Sequence, residues 1–143
     1  AVLGSVWEYL PSLYGMTAVY CTPSIMEGFG MSAQEAAACG VPAVASSRVP
    51  FAVEFLQGAA AERVSCGEGC AFTLGEGAAV VPPDDVDATA AAMARLLDDE
   101  PLRARMGERA WHITVPRFTW KTATAAFLEQ CGIALPGGTG NSG

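Results

Sequence analysis

Apolar residues recur along this chain in two rhythms, and each predicts a different element. Short unbroken runs rich in Val, Ala and Thr occur at Thr17 to Thr22, Val41 to Ser46 and Ala78 to Val81. Runs of that length, bounded by Gly or Pro, read as strands, and the continuous apolar character of the first fits a strand buried on both faces. Between the runs the spacing lengthens to three and four residues, the period of a helix. Val6 to Tyr14 reads as a helix with Val6, Tyr9, Leu10 and Leu13 on one face and Pro11 as its bend or restart. Met31 to Cys39 reads as an Ala-rich helix stopped by Gly40, and Phe51 to Leu56 as a short helix opened by Pro50. Asp84 or Asp85 caps a helix with Val86, Ala90, Met93 and Leu97 inward. Pro101 starts another, with Leu102, Met106, Ala110 and Ile113 on one face. Thr119 caps a last helix that is expected to bury Trp120, Thr124, Phe127 and Cys131. Residues 59–77 keep no clean period and carry four glycines among charges, which suits a small hairpin. Alternating strands and helices predict the α/β class: a Rossmann-like parallel sheet with helices on both faces.

Composition narrows the picture. At 143 residues, 51% of them hydrophobic, the chain can bury one real core. A net charge of −7 lacks the basic footprint that nucleic acid needs and does not favour tight docking on an anionic membrane. Pro, Gly or a charge interrupts every apolar run well short of the ~20 residues of a membrane span. Ala1-Val2-Leu3-Gly4 reads as a strand end with no signal segment before it, so a cytoplasmic excerpt of a larger protein is expected. Of five cysteines, Cys21 and Cys39 sit in apolar runs and read as small core residues, whereas Cys66 and Cys70 flank a Gly67-Glu68-Gly69 loop. With an odd cysteine count and His112 as the one histidine, reduced thiols are expected rather than a disulfide framework, and no metal site. Trp7, Trp111 and Trp120 read as packing residues.

The chemistry concentrates in Pro23-Ser24-Ile25-Met26-Glu27-Gly28-Phe29-Gly30-Met31-Ser32-Ala33-Gln34-Glu35-Ala36. A strand ends, a glycine loop turns and a helix begins, with a carboxylate on each side of the turn. Open N–H groups at a helix start favour a phosphate, glycines let a ligand approach the backbone, and carboxylates accept hydrogen bonds from hydroxyls. Phosphate donors beside hydroxyl acceptors suit a nucleotide sugar. Glu27 and Glu35, with seven residues between them, resemble the E-x7-E signature of retaining group 1 glycosyltransferases built from two facing Rossmann-like domains, the GT-B fold. Tyr20-Cys21-Thr22-Pro23-Ser24, Glu35 to Ser46, Val81-Pro82-Pro83-Asp84-Asp85 and Phe118-Thr119-Trp120 resemble further landmarks of that family in order, so the likeness spans roughly residues 2–132.

The resemblance implies that residues 1–135 are part of a nucleotide-sugar-binding domain, with 59–77 an insertion and 136–143 a flexible tail. It implies hexosyl transfer from a nucleotide diphosphate sugar to an acceptor hydroxyl with retention and without a cofactor or metal. Glu35 would accept the ribose hydroxyls, and Glu27 would face the donor sugar as the catalytic carboxylate. Gly28, Phe29, Gly30 and Met31 would offer backbone to the sugar and diphosphate, while the Phe29 ring plugs the core. Arg48, just past a strand's carboxyl end, is placed to reach a phosphate or the acceptor side, or to stand as a surface arginine. Glu54 lies where the family often has a glutamate, but Val49-Pro50-Phe51-Ala52-Val53 lacks the common glycine pair. The family's upstream basic residues and its N-terminal acceptor domain are absent from this chain, so no transferase activity is expected of it alone. The last helix would pack toward that domain. A nucleotide-binding module without catalysis, and an epimerase or phosphorylase on a related scaffold, are the competing readings.

Overall fold

The apolar runs become the middle of a sheet. The computed structural model describes residues 7–133. A single 3₁₀ turn (Trp7–Tyr9) precedes α1 (Leu10–Gly15), β1 (Tyr20–Thr22), α2 (Met31–Ala38) and β2 (Ala43–Ser46). A π-helical turn (Ala52–Leu56) then leads to β3 (Glu62–Gly67), β4 (Cys70–Leu74) and β5 (Ala78–Val81), followed by α3 (Val86–Asp98), α4 (Glu100–Thr114) and α5 (Trp120–Gln130). The five strands lie in the order β1-β2-β5-β4-β3. β1, β2 and β5 run parallel, with Tyr20 opposite Ala43 and Ala43 opposite Ala78. β4 pairs antiparallel with β5 and with β3, so the 59–77 segment does form a hairpin, which extends the parallel sheet at one side.

Helices cover both faces. Ala33 and Ala37 of α2 pack with Val49, Phe51, Leu56 and Ala110 on one. Ala88, Ala92 and Leu96 of α3 pack with Val44, Phe72, Val81 and Met106 on the other. Every residue of β2 and β5 is buried, as unbroken apolar strands in a two-sided sheet require. Fully buried side chains such as Phe51, Leu56 and Leu96 each contribute roughly 1.5–3 kcal/mol by leaving water. Asp85 settles the capping ambiguity, since its Oδ1 accepts the Ala88 N–H at 2.8 Å. Asp99 caps α4 in the same way by accepting the Leu102 N–H at 2.9 Å. That bond and the Arg95 guanidinium hold the Asp99 carboxyl below its ordinary range. Among the described residues no helix is long and apolar enough to cross a membrane.

Several expectations fail, each for a packing reason. β1 is shorter than the Thr17 to Thr22 run and pairs only with β2, so among the described residues it is an edge strand and Cys21 is exposed. Cys39 is exposed too, because it terminates α2 on the side away from the sheet. α1 buries none of its residues: Leu13 is 42% exposed, and Tyr9 just before the helix 63%. On α3 the buried stripe is Ala88, Ala92 and Leu96, about a third of a turn round from the expected one, which leaves Val86 and Leu97 exposed. α5 buries none of its residues; Trp120 is 90% and Phe127 64% exposed, and Cys131 is exposed as well. Cys66 and Cys70 are joined by a disulfide with Cα atoms 5.1 Å apart, because the hairpin turn at Gly67 to Gly69 folds one cysteine back onto the other. The Val6 position and the 136–143 tail lie outside the described residues.

One contact fixes how α2 and α4 pack. A Cβ added at Gly107 of α4 would land on the carbonyl oxygen of Gly40, just past the end of α2. Backbone gives way less readily than a flexible side chain, so Gly107→Ala should lower stability by about 1–3 kcal/mol. Chemical denaturation of the purified chain measures this. An unchanged midpoint and slope would show that the two helices have room for a methyl group between them.

Candidate functional site

The carboxyl ends of three parallel strands form a crest, the usual place for a ligand in such a sheet. Three loops leave it: 23–30 after β1, 47–51 after β2 and 82–85 after β5. Hydrogen bonds tie the first two together. The Ser46 hydroxyl donates to the Ser24 carbonyl, Arg48 N–H donates to Ser46 Oγ at 3.1 Å, and Phe51 N–H donates to the Phe29 carbonyl at 2.8 Å. Ser47 N–H reaches the Val81 carbonyl at 2.8 Å and brings β5 into the same crest.

Gly30 makes this closeness possible. Its φ of 101° lies in the left-handed region, and a Cβ there would sit 2.6 Å from Val49 Cγ1. Phe29 is drawn inward by the same approach, and its ring packs with Phe51, Phe55 and Phe118 at centroid distances of 5.5, 6.2 and 6.0 Å. The ring is therefore an anchor, as expected, while Ile25 and Met26 earlier in the loop stand exposed. At Gly28 a Cβ would meet nothing within 4 Å, so the space above the turn is open.

α2 begins immediately after Gly30, which has no side chain to cap it. The first helical bond runs from Gln34 N–H to Gly30 O at 3.0 Å, so the N–H groups of Met31 and Ser32 have no acceptor within the helix. They carry the partial positive charge of the helix start toward the crest. Glu27 stands half-buried in the loop before them, and Arg48 is exposed on the neighbouring loop. Of the ion pairs among the described residues, none involves Glu27, Glu35 or Arg48. Glu54 is exposed on the π-helical turn.

Glu35 lies farther along α2 and is half-buried. With Met31, Gln34, Ala38, Thr114 and Phe118 it lines a cavity of about 270 Å³. Glu27, Gly28 and Arg48 are not among the lining residues, so this cavity does not unite the residues that the motif pairs. Thr114 adds a hydroxyl that is buried and has no hydrogen-bond partner among the described residues. Glu35 Oε2 accepts a hydrogen bond from the Tyr14 hydroxyl at 3.1 Å. Partial burial and then the Glu35 carboxylate push the Cys39 thiol up from its ordinary value. Neither Tyr14 nor Thr114 was identified from sequence. Each meets the motif across a long stretch of chain, and no periodicity links them to it. Among the described residues no group of three or more His, Cys, Asp or Glu could hold a metal ion.

With this geometry in view, comparison with known proteins gives the class. A family model described as glycosyl transferases group 1 matches residues 1–112, and the chain belongs to that family. It is 36% identical over 118 residues to an MMP alpha-(1->4)-mannosyltransferase of Mycolicibacterium hassiacum, covering 82% of this chain and 25% of that protein. It is 31% identical over 129 residues to a GDP-mannose-dependent alpha-(1-6)-phosphatidylinositol monomannoside mannosyltransferase of Mycolicibacterium smegmatis, covering 85% and 29%. The fold matches a sucrose-phosphate synthase from Thermosynechococcus elongatus with a TM-score of 0.66 and 30% identity, over 87% of this chain and 27% of that structure. The chain thus spans about a quarter of the length of the curated relatives it matches.

The Tyr14 contact can be checked directly. Burial first, and then the hydrogen bond to Glu35, push the Tyr14 phenol from 10.0 up to about 12. A folded-state pKa above the unfolded one adds stability that is whole below the unfolded value and fades as pH climbs from 10.0 toward about 12. Spectrophotometric titration should therefore show one of the three tyrosines ionising later than the others, and Glu35→Gln should bring it back toward them. Joint ionisation of all three in the unaltered chain would mean that the bond is not held in solution.

Proposed function

We propose that this chain supplies part of the donor site of a retaining glycosyltransferase that moves a hexosyl group from a nucleotide diphosphate sugar to an acceptor hydroxyl. The observation that carries the reading is the uncapped start of α2. It opens at the crest of the parallel strands, with Glu27 before it and Glu35 within it. The E-x7-E spacing supports it from the sequence side, and one relative, a GDP-mannose-dependent mannosyltransferase, supports the donor class.

In this reading the Met31 and Ser32 N–H groups stabilise the leaving diphosphate, aided by Arg48 from the adjoining loop. The open backbone at Gly28 admits the donor sugar. Glu27 accepts hydrogen bonds from sugar hydroxyls and stabilises the positive charge that develops at the anomeric carbon. Glu35 accepts the ribose hydroxyls through its free Oε1. The chemistry is electrostatic and requires no resident metal. The remaining phosphate contacts come from basic residues in the first strands of this same domain, the acceptor comes from the second domain of the GT-B architecture, and the exposed apolar face of α5 at Trp120 and Phe127 packs toward that second domain. The chain alone therefore binds donor weakly and turns nothing over.

Calorimetric titration with UDP-, GDP- and ADP-sugars tests this. Binding should favour one nucleotide class. Glu35→Ala should weaken it by about 10- to 150-fold, the equivalent of roughly 1.5–3 kcal/mol for hydrogen bonds to a charged acceptor, with the circular dichroism spectrum unchanged. Equal affinity in the variant would remove Glu35 from the site.

A further inference from the structure

Among the described residues, Tyr14 reaches the motif by a side-chain hydrogen bond from upstream of β1. Its hydroxyl donates to Glu35 Oε2 at 3.1 Å. Its ring is held edge-on against Tyr20, with centroids 5.9 Å apart at 69°. Tyr20 is itself fixed in β1, where its N–H donates to the Pro42 carbonyl at 3.0 Å. On the other side, α2 is immobilised by Ala33, Ala36 and Ala37, all fully buried. The carboxylate therefore projects from a helix anchored on the sheet, while the phenol, carried by α1, is steadied by the Tyr20 ring of β1. Glu side chains on an outer helix face normally sample several rotamers, and each must be surrendered on binding.

We propose that Tyr14 is a positioning residue: its hydroxyl holds one oxygen of Glu35 so that the other faces the crest, ready for the vicinal hydroxyls of a ribose. This rests on the donor-site reading above and adds to it a residue outside the E-x7-E motif. A carboxylate offers about four acceptor sites. Tyr14 occupies one, which leaves both lone pairs of Oε1 for a pair of hydroxyls. The phenol also excludes water from the flank it covers, and its raised pKa keeps it a donor across the working pH range.

A purely structural role is the rival, because α1 has no buried residue of its own and the phenol could serve only to tie it to α2. The two roles differ in which ligand feels the loss. The probes are UDP, GDP and ADP, each with its 2′,3′-dideoxy counterpart, titrated against the unaltered chain, Tyr14→Phe, Glu35→Ala and the double variant. Tyr14→Phe keeps the ring against Tyr20. It should weaken the preferred ribonucleotide by about 2- to 10-fold, the worth of one oriented hydrogen bond, and leave its dideoxy form unchanged. In the Glu35→Ala background the same substitution should have no further effect. Equal loss for both forms would assign Tyr14 to structure alone. Loss on Glu35→Ala with none on Tyr14→Phe would overturn the positioning role and spare the donor site. No effect of Glu35→Ala, or no binding by the unaltered chain, would overturn both. A second measurement needs no variant: in the unaltered chain labelled with carbon-13 at tyrosine Cζ, the Tyr14 signal should move with the ribonucleotide and stay still with the dideoxy form. A signal that ignores both refutes the inference even if Tyr14→Phe does not fold.

Discussion

The chain turns at Gly30 in a left-handed conformation, and no Cβ stands between it and the wall formed by Val49 and Phe51. That missing atom lets the 23–30 loop lie directly on the 47–51 loop. The Phe51 N–H then reaches the Phe29 carbonyl, and the Phe29 ring enters a four-membered aromatic cluster. The direction of α2, the exposure of its first N–H groups and the position of Glu35 along it all follow from this contact. A residue with a side chain at Gly30 would need both an unfavourable backbone region and a shift of Val49, which is fully buried.

Small residues set the spacing of the rest. α2 faces the sheet through alanines, α3 does so through Ala88 and Ala92, and Gly107 lets α4 touch the end of α2. Close helices on a short sheet give a stiff base, and a stiff base is what allows unsatisfied polar groups to be held at the crest. α2 is clamped along its inner side, so its outer side, with Met31, Gln34, Glu35 and Ala38, is free to line a cavity. Rigid packing below and open donors and acceptors above are two consequences of one arrangement. The donor-site reading draws on both.

The elements and their order were legible because apolar runs and Gly and Pro stops are local. β2, β5, α2 and α4 appear where periodicity places them, and the loop between Glu27 and Glu35 turns as its glycines require. The inward faces were less legible. On α3 the buried stripe is Ala88, Ala92 and Leu96, and Val86, Met93 and Leu97 repeat with the same helical period, so spacing alone does not choose between the two faces. α1 and α5 show apolar faces that nothing among the described residues covers, so periodicity alone marked a buried side that is open. Cys66 and Cys70 join because a hairpin reverses the chain, and a cysteine count carries no information about that.

The sequence by itself determined the class of fold, the family resemblance and the two carboxylates that bracket a glycine turn, because each is written in neighbouring residues. Only the tertiary structure decided that the Ser24 and Ser46 loops share one crest, that Glu35 and Glu27 do not line the same cavity, and that Tyr14 bonds to Glu35. Those facts depend on how strands pair and how far helices stand off them. Residues separated by 21 and 22 positions meet through packing, and no local pattern encodes the distance at which they do.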